Sequence, residues 1–550
     1  MTNKEYADIL LPGVEHTWEE YEKMYPERDL KEGAIVTRYA PSPTGLPHMG
    51  NLFQAFISKV FSNQTDGVFF IRIEDTDTER TIEDGVKKIL EAVAPFDMKF
   101  DEGAISDTEE VGEYGPYFQT KRGDIYKAYA KKLIEEDKAY ASFASKEVLD
   151  EIRKEQELSK QRLGYYGRWA KDRFLSKEDV IKRINEGEPY IIRLKSPGNF
   201  YEKVVLNDAI KGKIEMPEND IDEVIIKSDG LPTYHFAHVI DDHLMHTTHI
   251  IRGDEYVSST PKHLQMFEML GFKTPKYCHI APLNKNDNGT IRKLSKRKDP
   301  EARLMFYIEE GIPTDAVMLY LATITNSNFE AWLDANPTGK IEDFKFDFKK
   351  ANSTNGTLFD LPKLLNISKN YLSRLTKDEI YNNLVDYTKE YDKDFYEIIT
   401  KYPEYTKDIL NIEREQKKPR KDYSKYSDIK NGIWYMYDEL FNNKELIYDY
   451  QSITDKDEIR TIINTYIDKY YDENDDKDTW FSKMQELCEE LSYAGNMKEY
   501  KENPDKYKGN VADVSTVIRV SLTTSSQTPD LYELLRLIGK ERIKERFNRI

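Results

Sequence analysis

Residues 41–50 read PSPTGLPHMG, and His48 stands just before a run of apolar residues at helical spacing. The prolines fix φ, while Gly45 and Gly50 let backbone come close to a ligand. The start of a helix offers unpaired N–H groups and the positive end of its dipole, which together form an anion site. A histidine and a glycine placed there could hold the phosphates of ATP and its adenine face. A Pro/Gly turn with a surface histidine would contain the same residues. Neither a GxxxxGK[ST] loop nor a GxGxxG fingerprint is present, so the P-loop and dinucleotide readings fall away. A second element lies far downstream: residues 292–298 read RKLSKRK, five positive charges in seven residues, after the Asn/Gly-rich stretch 284–289. Such a mobile basic loop suits neutralisation of a departing pyrophosphate. Read alone, it is a solvated loop or one that touches nucleic acid. Together on one sheet, the two loops make a nucleotidyl-transfer constellation.

Histidines supply a third set. Seven of the nine lie between 235 and 279, with His235/His238 and His243/His246/His249 three apart, so a metal site has to be considered. It would need helical geometry, one shared face and Asp241 or Asp242 close by.

Elements able to position these residues are legible around them. Residues 34–40 (AIVTRYA) form a strand signal, and Leu52, Phe53, Phe56, Ile57, Val60 and Phe61 recur at helical spacing. After Asp66-Gly67 a second apolar strand runs over 68–73 and ends in Glu74-Asp75. Strand, loop, helix and strand at this length make a βαβ unit with a right-handed crossover, hence a doubly wound parallel sheet. Ligands of such sheets bind at the carboxyl ends of the strands, where the 41–50 loop and the acids at 74–75 both fall. Residues 1–33 read as a polar extension with a short apolar patch at 9–11. Residues 117–226 read as an insertion, with helices at 121–136 and 146–160 and a strand-like stretch at 189–194. The parallel-sheet pattern resumes at 224 and runs through 232–240, 249–252 and 277–283. Beyond about 372 the chain is dense in Lys, Glu, Asp and Tyr at helical periodicity.

The expected architecture is therefore α/β. A Rossmann-like catalytic domain (34–116 and 227–298) is interrupted by an α+β domain (117–226). A connecting region (299–371) and an all-helical region in two subdomains (372–550) follow. A chain of 550 residues, at about 150 per domain, has room for this plan. The net charge of −19 excludes wholesale wrapping of nucleic acid or docking to anionic membranes, and leaves room for local basic surfaces. Two cysteines, Cys278 and Cys488, with no CxxC, fit a reducing cytoplasm. Residues 1–19 carry acids and no apolar core, unlike a signal peptide, and apolar runs such as 316–324 are too short to span a bilayer. A cytoplasmic protein without a membrane partner is expected.

PSPTGLPHMG resembles the HIGH signature of class I aminoacyl-tRNA synthetases, and KLSKR at 293–297 resembles their KMSKS signature. The particular form is similar to the glutamyl-tRNA synthetase family: RYAPSPTG at 38–45, IRIEDTD at 71–77, GPYFQTKR at 115–122, LPTYHFAHVIDDHLM at 231–245 and IIRGDEYVSSTPKH at 250–263 occur in family order. The resemblance covers roughly 34–365 well. It continues more weakly through FDLPKL at 359–364 and LYELLRLIGKERIKERF at 531–547.

The resemblance implies an ATP-dependent ligase that makes glutamyl-adenylate and passes the acyl group to the terminal ribose of tRNA, with Mg2+ accompanying ATP. It implies that His48 and Gly50 cradle ATP beside Asn51 and Tyr256. Lys296, helped by Lys293, would stabilise the pentavalent phosphate and the departing pyrophosphate. Arg38, Ala40, Ser42, Glu74, Tyr234, His238 and Arg252 match glutamate-binding positions. A guanidinium gives a carboxylate the bidentate geometry that lysine cannot, although either arginine could instead be a structural ion pair. Glu74 would hold the α-ammonium. His238 stands where the family is expected to carry asparagine, so a pH-sensitive substrate contact is expected there. Asn51 replaces the second signature histidine, a variation common in this family.

In the family's setting the clustered histidines belong to a stretch beside the active site, and no metal site is expected. Some relatives carry zinc-binding thiolates in the inserted domain; here those segments read Ser142-Phe143-Ala144 and Tyr165-Tyr166-Gly167-Arg168-Trp169, so no structural zinc is expected either. The resemblance further implies that 117–226 receives the tRNA acceptor end, that 299–371 contacts the stem and that 372–550 forms an anticodon-binding cage. Lys417, Lys418, Arg420 and Lys421 are candidate phosphate contacts, with Tyr423 and Tyr426 near for base stacking; an exposed linker would look alike. A glutaminyl relative would carry EPNG in place of PSPTG, a short tRNA-modifying relative would lack residues 372–550, and a non-catalytic paralogue would not need His48 with both lysines. A small-molecule adenylyltransferase would not need the glutamate-pocket motifs. A monomer acting on tRNA(Glu) is expected, with tRNA(Gln) open as a second acceptor.

Overall fold

Two apolar runs set the centre of the fold. Strands β1 (Val36–Tyr39) and β2 (Val68–Ile71) pair in parallel, Val36 opposite Val68 and Tyr39 opposite Ile71. The crossover helix between them, α1 (Met49–Asn63), buries Leu52, Phe53, Phe56, Ile57 and Phe61, each of which contributes about 1.5–3 kcal/mol. Strand β3 (Glu102–Ala104) continues the parallel order beside β2. These elements belong to a computed structural model that describes residues 1–351 and 357–550, and the chain divides into two compact units: 1–306 with 318–361, and 307–317 with 362–550.

Residues 232–240 depart from the strand expectation. They begin a helix, α2 (Tyr234–Leu244), that buries Phe236, Ala237, Val239, Ile240 and Leu244. The polar residues His238, Asp241 and Asp242 are interleaved at buried positions and blur its helical period. Strand β4 (His249–Gly253) follows and pairs in parallel with β5 (Lys276–Ile280). β4 enters beside β1, where the Thr248 N–H donates to Val36 O (3.0 Å) and the Val36 N–H to Thr248 Oγ1 (2.8 Å). The second half of the sheet thus returns to the first, as the α/β reading requires. Residues 224–226 do not resume the parallel sheet; they pair antiparallel with Ile191–Leu194 inside the inserted region.

After β5 the chain makes an antiparallel hairpin, β6 (Leu283–Asp287) and β7 (Thr290–Lys293). Asn288 and Gly289 both take positive φ at its turn, the Asn-Gly solution that matches strand twist. The N-terminal extension is more than a polar arm. Helices Asn3–Leu10 and Trp18–Met24 each carry a complete capping box, Thr2 with Glu5 and Thr17 with Glu20, and bury Tyr6, Ala7, Leu10 and Tyr21 in the core of the first unit.

The second unit is helical from 362 onward, apart from one isolated bridge between Ala494 and Asn510. Its core gathers Leu384, Ile399, Ile433, Met484, Val517 and Leu535. Among the described residues no helix is long and apolar enough to cross a membrane.

Candidate active site

The 41–50 loop leaves β1 and ends at His48, the N-cap of α1. The Asn51 N–H donates to His48 Nδ1 (3.2 Å) and the His48 N–H to Asn51 Oδ1 (3.1 Å). Because Nδ1 accepts, the ring proton of the neutral imidazole sits on Nε2. Burial, then Lys296 and Lys293, lower the His48 pKa to about 4, so the ring is neutral at pH 7. A Cβ at Gly50 would lie 2.9 Å from His48 Cε1, so glycine there leaves the imidazole its place.

Lys293 ends β7 and faces Glu255 at 3.5 Å. The Lys296 ammonium donates to Leu46 O in the His48 loop, which ties the basic segment to the loop beside β1. Not all five charges are available. Arg292 forks onto Asp299 (2.7 and 2.8 Å) and reaches Asp287 (2.8 Å), and the Ser295 N–H also donates to Asp299 (2.8 Å). The Arg292 guanidinium holds the Asp299 carboxyl well below the usual carboxylate range. The segment is anchored at both ends rather than freely mobile.

A cavity of about 420 Å³ opens at the carboxyl ends of β1, β2, β4 and β5. Its wall brings together Arg38, Ala40, Ser42, His48, Gly50, Asn51, Glu74, Tyr234, Arg252, Tyr256 and Lys293 from positions up to 255 residues apart. Lys296 lies outside this wall, tied to the neighbouring loop at Leu46 O, and His238 does not reach it either. His238 is fully buried, with its ring stacked on Tyr234 (5.7 Å, 13°) and Nδ1 2.8 Å from Asp242 Oδ2. Burial drives its pKa down to about 3.

Beneath the cavity lies a charged floor whose pairing the motif reading did not foresee. Asp242 accepts from Arg38 Nε (3.0 Å) and Arg72 Nη1 (2.8 Å), and Arg72 Nη2 donates to Glu74 Oε1 (3.1 Å). Asp241 accepts from Gln119 (2.8 Å), Arg122 (2.7 Å) and Tyr126 (2.9 Å). Three arginines thus face three carboxylates, all largely buried. Burial alone would raise the Asp242 carboxyl, but Arg38 and Arg72 override it and hold it well below its usual value. For Glu74 burial wins, and its pKa is raised against the pull of Arg72 and Arg38. The sequence signal existed: Arg72 interrupts the apolar run 68–73, and Asp241-Asp242 interrupt an apolar helix.

Arg252 is different. Only 2% exposed, it donates to His279 Nε2 (3.0 Å), His263 Nδ1 (3.2 Å), Thr260 Oγ1 (3.0 Å) and Tyr256 O (3.3 Å). Among the described residues no carboxylate lies within 4 Å of it, so this buried guanidinium faces the cavity with its charge uncompensated.

The remaining histidines go to separate partners: His243 to Glu22 (3.0 Å), His246 to Tyr25 O (2.9 Å), and His249 to the Phe348 ring. Among the described residues no group of three His, Cys, Asp or Glu side chains is arranged to hold a metal. Where some relatives have thiolates, Ser142 Oγ (2.9 Å), the Phe143 N–H (2.8 Å) and Tyr165 OH (3.3 Å) all donate to Asp172.

In the helical unit Lys417, Lys418 and Lys421 are exposed, whereas Arg420 pairs with Asp422 (2.7 Å) and Glu413 (3.4 Å). Arg414 is buried and caps carbonyls of Leu410 (2.7 Å) and Leu372 (2.5 Å). Tyr423 and Tyr426 are half-buried against the helical core.

Comparison with known proteins places the chain in a family. The family model for class I tRNA synthetases (E and Q), catalytic domain, matches residues 34–355. A glutamate--tRNA ligase of Clostridium perfringens (strain SM101 / Type A) is 46% identical over 551 residues, covering 100% of this chain and 99% of its own. One of Acetivibrio thermocellus is 45% identical, covering 100% of both. Among solved structures, a glutamate tRNA ligase from Elizabethkingia meningosepticum, crystallised in complex with its amino acid, superposes with a TM-score of 0.74 at 26% identity, covering 94% of this chain and 99% of its own.

Proposed function

The chain belongs to the class I tRNA synthetases of the glutamate and glutamine group, and from that membership we propose how its cavity divides the work of a glutamate–tRNA ligase. The overall reaction couples glutamate and ATP to glutamyl-adenylate and pyrophosphate, then moves the acyl group to a tRNA ribose. One observation carries the division: a single cavity has the His48 loop and Lys293 in its wall together with Arg252, a buried cation with no carboxylate within 4 Å among the described residues.

Arg252 takes the side-chain carboxylate of glutamate. Arg38 and Arg72 already have Asp242, so Arg252 is the cation whose burial a substrate carboxylate would offset. Glu74, engaged by Arg72 through Oε1, receives the α-ammonium, while Arg38, Ala40, Ser42 and Tyr234 shape the wall around the amino acid. His238 acts from behind Tyr234, by holding that ring.

At the nucleotide end, His48 donates through Nε2–H to a phosphate oxygen of ATP, Gly50 and Asn51 admit the phosphates to the start of α1, and Tyr256 packs on the nucleotide. The ionised α-carboxylate of glutamate attacks the α-phosphorus, so the step needs no general base. Pyrophosphate leaves with the bonding electrons, and Lys293 and Lys296 meet its developing charge. The tRNA ribose hydroxyl then attacks the acyl carbon and AMP departs. Mg2+ would supply charge neutralisation when bound with ATP; the nearby Glu74, Asp77 and Glu255 pair with Arg72, Arg80 and Lys293 in this structure. Residues 117–226 receive the acceptor end, 299–371 contact the stem and 372–550 read the anticodon.

The test is charging with labelled glutamate on tRNA(Glu) and tRNA(Gln) transcripts in parallel at fixed salt. Charging of tRNA(Glu) is expected. Charging of tRNA(Gln) as well would make the enzyme non-discriminating, and charging of neither would refute the proposal.

A further inference from the structure

Arg252 is held by two imidazoles whose protons are fixed by what lies behind them. A guanidinium only donates, so the ring nitrogens facing it, His279 Nε2 (3.0 Å) and His263 Nδ1 (3.2 Å), must each present a lone pair. The proton of His279 then sits on Nδ1, 2.7 Å from Asp208 Oδ2. The proton of His263 sits on Nε2, 2.9 Å from His235 Nδ1. The two rings flanking Arg252 carry opposite tautomers.

Asp208 is itself locked. Its Oδ1 accepts the N–H groups of Ile210 (2.9 Å) and Lys211 (2.8 Å), and its Oδ2 accepts the backbone N–H of His279 (3.1 Å). It ends the first strand of the hairpin Lys203–Asp208 and Gly212–Pro217 in the inserted region, and the Ala209 N–H donates to Tyr277 O (2.9 Å) on β5. Asp208 and His279 are both buried, and neither is in the cavity wall.

We infer that Asp208 and His279 are positioning residues for Arg252: the carboxylate fixes the imidazole tautomer, and the imidazole fixes the guanidinium while leaving its charge free for a substrate carboxylate. A carboxylate at position 279 would hold Arg252 equally well but would neutralise it. An imidazole between the two keeps the anion one ring away. The inference rests on the reading of Arg252 as the cation for the glutamate side chain.

Asp208→Asn tests it. In the orientation whose amide oxygen keeps the Ile210 and Lys211 N–H groups, the NH2 faces the backbone N–H and the Nδ1 of His279. That nitrogen must then accept, its proton moves to Nε2, and two donors oppose each other at Arg252. In the full-length enzyme, KM for glutamate is expected to rise about tenfold to a hundredfold, the range for a hydrogen bond to a charged group, with KM for ATP nearly unchanged. Histidine-selective 15N spectra should show His279 changing from the Nδ1–H to the Nε2–H form.

If Asp208→Asn does not fold, or turns its amide oxygen to His279 and keeps the tautomer, His279→Leu and His279→Gln decide the matter. Leucine should raise KM for glutamate, and glutamine, which again offers an acceptor toward Arg252, should recover most of the loss. Equal effects of the two, or a changed tautomer in Asp208→Asn with an unaltered KM, would each overturn the relay. Arg252→Gln separates this from the underlying reading: if it leaves KM for glutamate unaltered, the assignment of Arg252 itself falls.

Discussion

His48 and Asn51 cap each other across the first turn of α1, each accepting the other's backbone N–H (3.1 and 3.2 Å). Asparagine, where the signature has its second histidine, spends its side chain on the His48 backbone N–H, while its own backbone N–H fixes the tautomer of the His48 ring.

Asn51→Ala should therefore weaken two properties together. The helix loses a capping bond worth about 1 kcal/mol, and the His48 backbone N–H loses its acceptor, which loosens the loop that carries the ring. A lowered urea midpoint together with a raised KM for ATP is expected, with KM for glutamate little changed. A drop in stability alone would mean that the ring does not depend on Asn51.

Arg38 and Arg252 should fail differently when each is replaced by methionine. Arg38 is bound to the buried Asp242, and breaking such a pair costs about 3–5 kcal/mol of stability. Arg252 strands hydrogen-bond acceptors but, among the described residues, no carboxylate, so Arg252→Met should cost less stability than Arg38→Met while kcat/KM for glutamate falls about a hundredfold or more. Equal losses of stability in the two variants would contradict this division.

Lys296 is tethered to Leu46 in the resting structure and must exchange that carbonyl for phosphate. Lys296→Ala should lower the rate of pyrophosphate exchange about 100- to 1000-fold with smaller changes in KM. Arg292→Ala should give a milder loss, because it releases the segment from Asp299 without removing a charge that meets substrate. If Arg292→Ala proved the more damaging, the charge of Lys296 would not be the agent.

How much of this was legible beforehand followed from local pattern. The β1–α1–β2 unit announced itself because its strands are continuously apolar and its helix has a clean period. The loop and basic segment stood out because unusual residues cluster there. The charged floor did not: Arg72 lies far in sequence from the adjacent Asp241 and Asp242, and each looks like an interruption until the fold pairs them. The same interruptions hid α2 behind a strand reading. Arg38 and Arg252 were equivalent as sequence, and only their partners tell them apart.

The buried histidines should make stability fall with acid. Burial, seconded by Lys262 and Arg252 for His235 and by Lys276 for His249, lowers both pKa values to about 4, whereas in the unfolded chain they titrate at ~6.5. Between those values the unfolded chain binds protons that the folded chain does not. Stability is therefore fully present above ~6.5 and is lost as pH falls toward 4, by up to about 3 kcal/mol for each ring. His249→Phe keeps the stacking on Phe348 and removes one titrating group, so its stability should depend less steeply on pH between 6.5 and 4.5 than that of the parent. Identical slopes would show that His249 does not titrate in this window.

The basic run 414–421 contains two kinds of charge that a sequence cannot separate. Arg414 is inside the helical unit, where its guanidinium satisfies the carbonyls of Leu410 and Leu372, so Arg414→Ala leaves both without their donor and should cost about 2 kcal/mol of stability. Lys417, Lys418 and Lys421 are exposed, and their replacement by glutamine should leave unfolding unaltered. If these three meet phosphates, the triple variant should bind tRNA more weakly, and log K should fall less steeply with log salt, by about 0.7–0.9 for each phosphate no longer neutralised. A salt slope equal to that of the parent would make the run a solvated connection and move the search for anticodon-reading residues elsewhere in the unit. Arg420, already paired with Asp422 and Glu413, is left out of the triple variant because its loss would disturb both properties at once.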